Sequence, residues 1–338
     1  MTRRNFVAAA VSTAALSTAA PPRSGMGIVI HSLGYNRIKD PLVFLDYAHS
    51  LGAAGIQIRL MVARPEDLKT LRDRAGEWNM YVEGMAALPR TDDTSELEKT
   101  LREAKDAGAS VLRAVCLSGR RYETFESLEK WRQFVADSKA ALKRAVPLFE
   151  KHKVRLALEN HKDWTLEEHL RLLKEYESEY FGVNLDTGNN VAMLDDPMGV
   201  VEALAPYAVA THLKDMGVQE YEDGFLLAEV PFGDGVLDMK RVIETVRRHR
   251  PDTRMSLEMM TRTPLKVPCL TEKYWATFPD RNGVYLARTL AMVKRNKPRG
   301  GDLPRPESLP DQAAKVRMEE DNIKHCLNFA RDRVGLVS

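Results

Sequence analysis

From residue 27 to residue 295 the chain alternates, eight times over, a short apolar run with an amphipathic helical stretch. Apolar runs bounded by turn signals read as buried strands, and apolar positions three and four apart read as helices. The predicted strands cover 27–33, 55–60, 80–85, 110–117, 154–159, 181–186, 208–213 and 254–259. The predicted helices cover 41–51, 65–79, 96–107, 125–153, 165–176, 197–206, 237–250 and 283–295. Pro41 and Pro65 open two of them, where a missing N–H is harmless, and Gly108 stops a third. Pro147 lies inside the long helix over 125–153, where a kink is expected.

A strand followed by a helix and then another strand implies parallel pairing through right-handed crossovers. Eight such units favour an α/β fold of the closed (β/α)₈ TIM barrel type. An open doubly wound sheet is the rival, but it carries a G-x-G-x-x-G turn after its first strand. Here the first strand runs into His31-Ser-Leu-Gly-Tyr35 instead. The expected barrel occupies 27–296, followed by a Pro/Gly linker and an appended C-terminal helix within 297–338. Segment 261–280 breaks the rhythm with three prolines and the aromatics Tyr274, Trp275 and Phe278, and reads as a lid or an oligomer contact.

The first twenty residues read as a separate element. Arg3-Arg4-Asn5-Phe6 followed by an Ala/Ser/Thr-rich run resembles a twin-arginine export signal, with cleavage near Ala19 and a linker over 21–26. The run is too short and alanine-rich for a stable membrane span. Export would place the protein in the periplasm; without it the chain stays cytoplasmic. Lys and Arg number 50 against 48 Asp and Glu, so loss of Arg3 and Arg4 leaves a neutral protein. Neutrality speaks against a nucleic-acid partner. Three scattered cysteines speak against a disulfide scaffold or a thiolate metal site.

Four predicted strands end alike. Strand five ends in Glu159, strand six in Asp186 and strand seven in His212, and strand eight carries Glu258 near its end. Taken singly, a charged strand end is more often a solvated loop start or a cap, and a lone histidine more often structural. Strand C-termini of a barrel converge on one mouth, however, so residues far apart in sequence meet there. Three carboxylates gathered without a cation would repel one another. Two glutamates, an aspartate and an imidazole suit one divalent ion, Mn²⁺, Mg²⁺ or Co²⁺, with Zn²⁺ less suited in the absence of thiolates.

These residues, with the phrases Leu-Glu-Asn-His, Leu-Asp-Thr-Gly-Asn and His-Leu-Lys-Asp and the stretch Pro231-Phe-Gly-Asp-Gly-Val-Leu-Asp238, resemble the xylose isomerase-like TIM barrels. More narrowly, the chain is similar to the sugar phosphate isomerase/epimerase group over roughly residues 27 to 295. The resemblance implies Glu159, Asp186, His212 and Glu258 as metal ligands and Glu159 and Glu258 as an acid–base pair. It departs in one place: the group's 3-epimerases carry a substrate-binding histidine shortly after the strand-six aspartate, where this chain has Gly188-Asn189-Asn190.

The implied chemistry is proton abstraction next to a sugar carbonyl, through an enediolate polarised by the metal. Returning the proton elsewhere gives isomerisation or epimerisation. Expelling a substituent makes the enzyme a lyase or dehydratase of a keto-sugar or keto-glycoside. A non-catalytic exported carbohydrate-binding barrel is a third reading, and a barrel endonuclease, which would need more histidines and a basic groove, a fourth. His161 and Lys214 each follow a ligand by two residues and are expected at the substrate, Trp275 as a stacking surface. For Lys214 an ion pair with an acidic neighbour is an equal expectation. His31, Glu83 and Arg113 near the ends of strands one, three and four are weaker candidates. The partner is a small carbohydrate, with a homo-oligomer as a further expectation.

Overall fold

A computed structural model describes residues 24–298 and 301–337. The export-signal segment over 1–20 lies outside these residues. In chain order the strands are β1 (Met26–Val29), β2 (Gly55–Ile58), β3 (Tyr81–Met85), β4 (Val111–Ala114), β5 (Arg155–Glu159), β6 (Phe181–Asp186), β7 (Ala208–His212), β8 (Asp215–Tyr221), β9 (Gly224–Val230), β10 (Met255–Leu257) and β11 (Leu265–Val267). The helices are α1 (Pro41–Ser50), α2 (Glu66–Glu77), α3 (Ser95–Asp106), α4 (Arg121–Thr124), α5 (Leu128–His152), α6 (Leu166–Glu175), α7 (Pro197–Leu204), α8 (Met239–His249), α9 (Glu272–Trp275), α10 (Gly283–Arg295) and α11 (Gln312–Val334).

Eight strands, β1 to β7 and β10, pair in parallel in the order β10-β1-β2-β3-β4-β5-β6-β7. Closure comes from one parallel bridge, Leu213 to Leu257, in which the Leu213 N–H donates to the Ser256 carbonyl at 2.8 Å and the Glu258 N–H to the Leu213 carbonyl at 3.0 Å. This is the expected (β/α)₈ barrel. Helix ends follow local chemistry: the Asp40 carboxylate caps α1, with Pro41 in its first turn, and Thr165 and Glu168 form a reciprocal capping box on α6. Helix α5 runs on through Pro147.

Three features go beyond the alternation. Segment 215–230 forms an antiparallel hairpin of β8 and β9, to which β11 adds a third strand. This small sheet takes β11 from the segment read as a lid or an oligomer contact, so that segment carries regular structure of its own. Helix α10, expected as the eighth barrel helix, packs on β8 and β9, whereas α11 packs on β10 and α8. The reason lies in the buried faces: α11 buries Ile323, Cys326, Leu327 and Ala330 along one stripe, while α10 buries only Thr289 and Val293. Finally, the expected start at residue 27 is preceded by ordered pairing: Ser24 bridges Val337 antiparallel, and the Gly25 N–H donates to the Leu336 carbonyl at 2.8 Å.

Inside the barrel the floor is a tyrosine. The Tyr81 side chain lies over Gly27 and Gly55, where a Cβ would sit 2.3 Å from its hydroxyl and 2.4 Å from its ring respectively, and the hydroxyl donates to the Met255 carbonyl at 2.8 Å. Above it comes a polar layer of Gln57, Glu83, Asn184 and Ser256, all 2% exposed or less. The four strand-end residues form the layer above that.

Candidate metal centre

Strands β5, β6 and β7 end on Glu159, Asp186 and His212, and Glu258 follows β10 directly. One ligand atom from each lies within 4.8 Å of all the others, and the four residues are at most 3% exposed. A register shift contributes to this. Val183 pairs with Ala208, but Asn184 pairs with Ala210, so one residue of β7 is bulged out. The shift places Asp186 opposite His212; without it Asp186 would face Thr211. Side chains alternate along a strand, so a one-residue slip would turn the imidazole away from the mouth.

His212 is fixed as one tautomer. Its Nε2 lies 2.6 Å from the Gln57 Oε1, and the Gln57 amide nitrogen donates to the Glu83 carboxylate at 3.0 Å. The amide oxygen can only accept, so Nε2 carries the proton in the neutral ring. The lone pair on Nδ1 then faces Glu258 Oε1 at 3.3 Å, Glu159 Oε2 at 3.5 Å and Asp186 Oδ2 at 3.9 Å. His212 Nδ1 has no hydrogen-bond partner. A buried polar atom of this kind is rare without an unseen partner. A nitrogen lone pair and three carboxylates converging on one point is the donor set of a hard or borderline divalent cation, so the residues fit the ion the sequence implies.

Neighbouring groups hold the carboxylates in place. Arg113 from β4 pairs with Glu159, whose other oxygen accepts from the Asn189 amide at 2.9 Å. Lys214 pairs with Glu258 and with Asp186 Oδ2 at 2.7 Å. His31, just past β1, reaches Glu258 Oε1 at 2.9 Å. Burial alone would raise Glu159, but Arg113 and His212 outweigh it and hold the carboxyl down to about 2. For Glu258 burial is likewise overcome, by Lys214 and His212, and the carboxyl sits well below its usual range. At Asp186 burial wins over Lys214 and the carboxyl is raised. Asp186 Oδ1 also accepts the N–H groups of Gly188 at 2.9 Å and Asn189 at 2.8 Å, which fixes the plane of the carboxylate.

The other residues singled out in the sequence fall into two groups. His161 adjoins Glu159; burial pushes its imidazole down to about 3, and its buried Nδ1 has no partner, so it stands neutral beside the site. Lys214 forms the ion pairs named above. Arg113 and His31 touch ligands, and Glu83 supports Gln57 from below. Trp275 stands apart: its indole N–H donates to the Cys269 carbonyl at 2.9 Å and its ring packs against Tyr274 and Phe278.

Sequence reading missed four residues that matter here. Gln57 had a signal, a lone amide within the apolar strand Gly55–Ile58. Asn189 was noticed only as a departure from the histidine expected near it. Glu229 on β9 and its partner Arg262, 2.5 Å away, belong to the small sheet, and no periodicity in the chain points to them. Glu229 approaches Lys214 Nζ to 4.0 Å and so carries the charge network outward. Access to the centre is one-sided: the His31 side chain is 37% exposed, whereas Lys214 and Glu229 on the side of the small sheet are at most 1%.

A family model described as xylose isomerase-like TIM barrel matches residues 45–277, more than half of the chain. The 3-oxo-isoapionate decarboxylase of Pectobacterium atrosepticum is 25% identical over 252 residues, which is 71% of this chain and 86% of that protein. A D-psicose 3-epimerase solved in the presence of D-fructose shares the fold with a TM-score of 0.58 at 13% identity, over 92% of this chain and 99% of that one. A xylose isomerase-like TIM barrel protein from Mycobacterium smegmatis in complex with magnesium gives 0.50 at 14% identity, over 79% and 98%. Family match, barrel topology and the four convergent strand ends agree: the chain belongs to the xylose isomerase-like TIM barrel family.

Proposed function

We propose that this protein is a divalent-metal-dependent enzyme that labilises a C–H bond next to a sugar carbonyl, acting as an isomerase or epimerase. The observation that carries the reading is the imidazole lone pair of His212, turned by Gln57 into a ring of three carboxylates. A cation held there supplies Lewis-acid polarisation of the substrate carbonyl. Mn²⁺, Mg²⁺ or Co²⁺ suits the oxygen-rich set. The remaining work belongs to the chain. Glu159 and Glu258 remove and return the proton. Both are ionised at neutral pH, which readies either as base. Arg113, Asn189, Lys214 and His31 fix their directions, and neutral His161 offers a hydrogen bond to substrate beside Glu159.

A lyase is the second reading, favoured by the name of the Pectobacterium relative, a decarboxylase. Loss of carbon dioxide from a 3-oxo acid and loss of a proton next to a carbonyl leave the same kind of carbanion, so one site serves either. Keto-sugars and keto-acids incubated in heavy water with Mn²⁺, and with chelator, separate the readings by NMR. Metal-dependent deuterium uptake without loss of a group supports the isomerase or epimerase. Release of carbon dioxide, water or an aglycone supports the lyase. Binding without turnover leaves the carbohydrate-binding barrel.

Export to the periplasm is part of the same proposal, supported by Arg3-Arg4-Asn5-Phe6 and the small-residue run behind it. Cell fractionation of an Arg3→Lys, Arg4→Lys variant is expected to leave the protein in the cytoplasm. Assembly as a homo-oligomer is proposed as well, with sedimentation velocity as its test.

A further inference from the structure

On the exposed side of the mouth a cavity of about 470 Å³ opens at the ends of β1, β2 and β3. Five of its nine lining residues are aliphatic, Ile30, Ile38, Ile58, Met61 and Met85, with His31 towards the metal centre; Asp40 and the exposed Lys39 and Arg59 complete the lining. His31 is also the residue that touches Glu258, so the cavity and the metal centre share one side chain. None of the four ligand residues lines it. It therefore adjoins the space in which a sugar carbonyl would be activated. Met61 is 73% exposed, a large apolar side chain left in solvent at the cavity edge.

The lining discriminates between occupants. A second sugar ring needs amide or carboxylate partners for its hydroxyls, or an aromatic face to stack on. The cavity has no phenyl or indole wall; of its charged residues Lys39 and Arg59 are exposed, and Asp40 spends Oδ1 on the Leu42 and Val43 N–H groups at 2.8 and 3.1 Å as the cap of α1. Five aliphatic side chains, two of them adaptable methionines, suit an apolar group of ring size. Ligand pockets run from roughly 300 Å³ upward, so this cavity holds such a group in addition to whatever lies over the metal.

We propose that the cavity is a subsite for an apolar ring attached to the sugar, so that the substrate is an aryl keto-glycoside, which keeps a ring carbonyl for the metal centre, rather than a free monosaccharide. The inference rests on the metal-centre reading for the position of the sugar, and on the cavity wall alone for the attached group.

The test is calorimetric binding of matched phenyl and methyl keto-glycosides, made by oxidising one ring hydroxyl of the glucose, galactose and xylose glycosides, to the Mn²⁺-loaded full-length protein. At least one phenyl glycoside is expected to bind about tenfold tighter than its methyl partner, the gain from burying one ring. Met61→Glu is expected to erase that preference and Met61→Leu to keep it; Met61 is exposed, so both variants fold. Equal affinity within every pair, no binding by any phenyl glycoside, or a preference that survives Met61→Glu overturns the subsite. A phenyl preference in a protein that binds no metal leaves the subsite standing and removes the metal-centre reading. Metal-dependent deuterium exchange on free sugars with no phenyl preference does the reverse.

Discussion

His212 carries two jobs on one ring: Nε2 anchors it to Gln57, and Nδ1 serves the carboxylates. Removing the anchor should cost metal affinity without touching a ligand. Gln57→Leu is expected to weaken Mn²⁺ binding about 10- to 100-fold, the usual effect of losing a ligand's hydrogen-bond partner, as read by competition with a chelating dye. Unchanged affinity would show that the ring is oriented by packing alone. Glu83 beneath Gln57 has a separate signature. Burial raises its carboxyl to about 7, against the pull of Gln57 and His212. A carboxyl whose native pKa exceeds its unfolded value stabilises the fold fully below the unfolded pKa and ceases to do so as pH rises through the native one. Glu83→Gln should therefore flatten the fall in melting temperature between about pH 4.5 and pH 7, where the group's contribution changes by up to about 3 kcal/mol. An identical slope in the variant would mean that Glu83 does not hold its proton. The ligands were legible in the sequence because each terminates an apolar run. Gln57 and Glu83 were harder to read because a buried polar residue within a strand has no spacing rule to mark it.

The mouth is half covered by elements from outside the alternation, and Arg121 fastens them. Its guanidinium lies 3.6 Å from the Trp131 ring centre and 4.2 Å from that of Phe278, pairs with Glu168 at 2.7 Å and bonds the Thr277 carbonyl. Helices α5 and α6 are thereby tied to the segment after β11. Arg121→Met is expected to destabilise the protein by about 3 kcal/mol, the low end for a broken buried pair because Glu168 keeps its cap on the Thr165 N–H. Limited proteolysis should then cut first between residues 271 and 282, while the barrel strands stay protected. Cleavage spread evenly over the chain would argue that Arg121 supports the whole barrel instead. The barrel strands and their helices could be read from periodicity, since each unit repeats one pattern. The hairpin of β8 and β9 was not read that way: it interrupts a parallel rhythm with an antiparallel pair, and its one local signal, the dipeptide Asp223-Gly224 at the turn, with Gly224 at a φ of 152°, is not part of the strand–helix periodicity.

Both ends of the described chain meet at one side of the barrel. The Glu319 carboxylate of α11, 1% exposed, accepts the N–H groups of Tyr35 at 2.8 Å and Asn36 at 3.0 Å, so the C-terminal helix holds the loop leaving β1 near His31. Glu319→Ala leaves two part-buried donors without their carboxylate and is expected to cost about 1–3 kcal/mol in urea unfolding. A loss below about 0.5 kcal/mol, the level of an ordinary surface change, would make α11 a passive covering. Length and rhythm together suggested a barrel plus a tail; that the tail helix lies on β10 and α8 while α10 serves the small sheet depends on which faces are apolar, and the two helices looked alike in the sequence. The proposed function turns on one divalent ion that the four strand ends would hold. Metal content of the purified protein, measured by elemental analysis in parallel for the native chain and the Asp186→Asn, His212→Ala variant with circular dichroism as a check on folding, decides the matter. One divalent ion per native chain and none in a folded variant is the expected result; a folded variant that keeps the native metal content would contradict it.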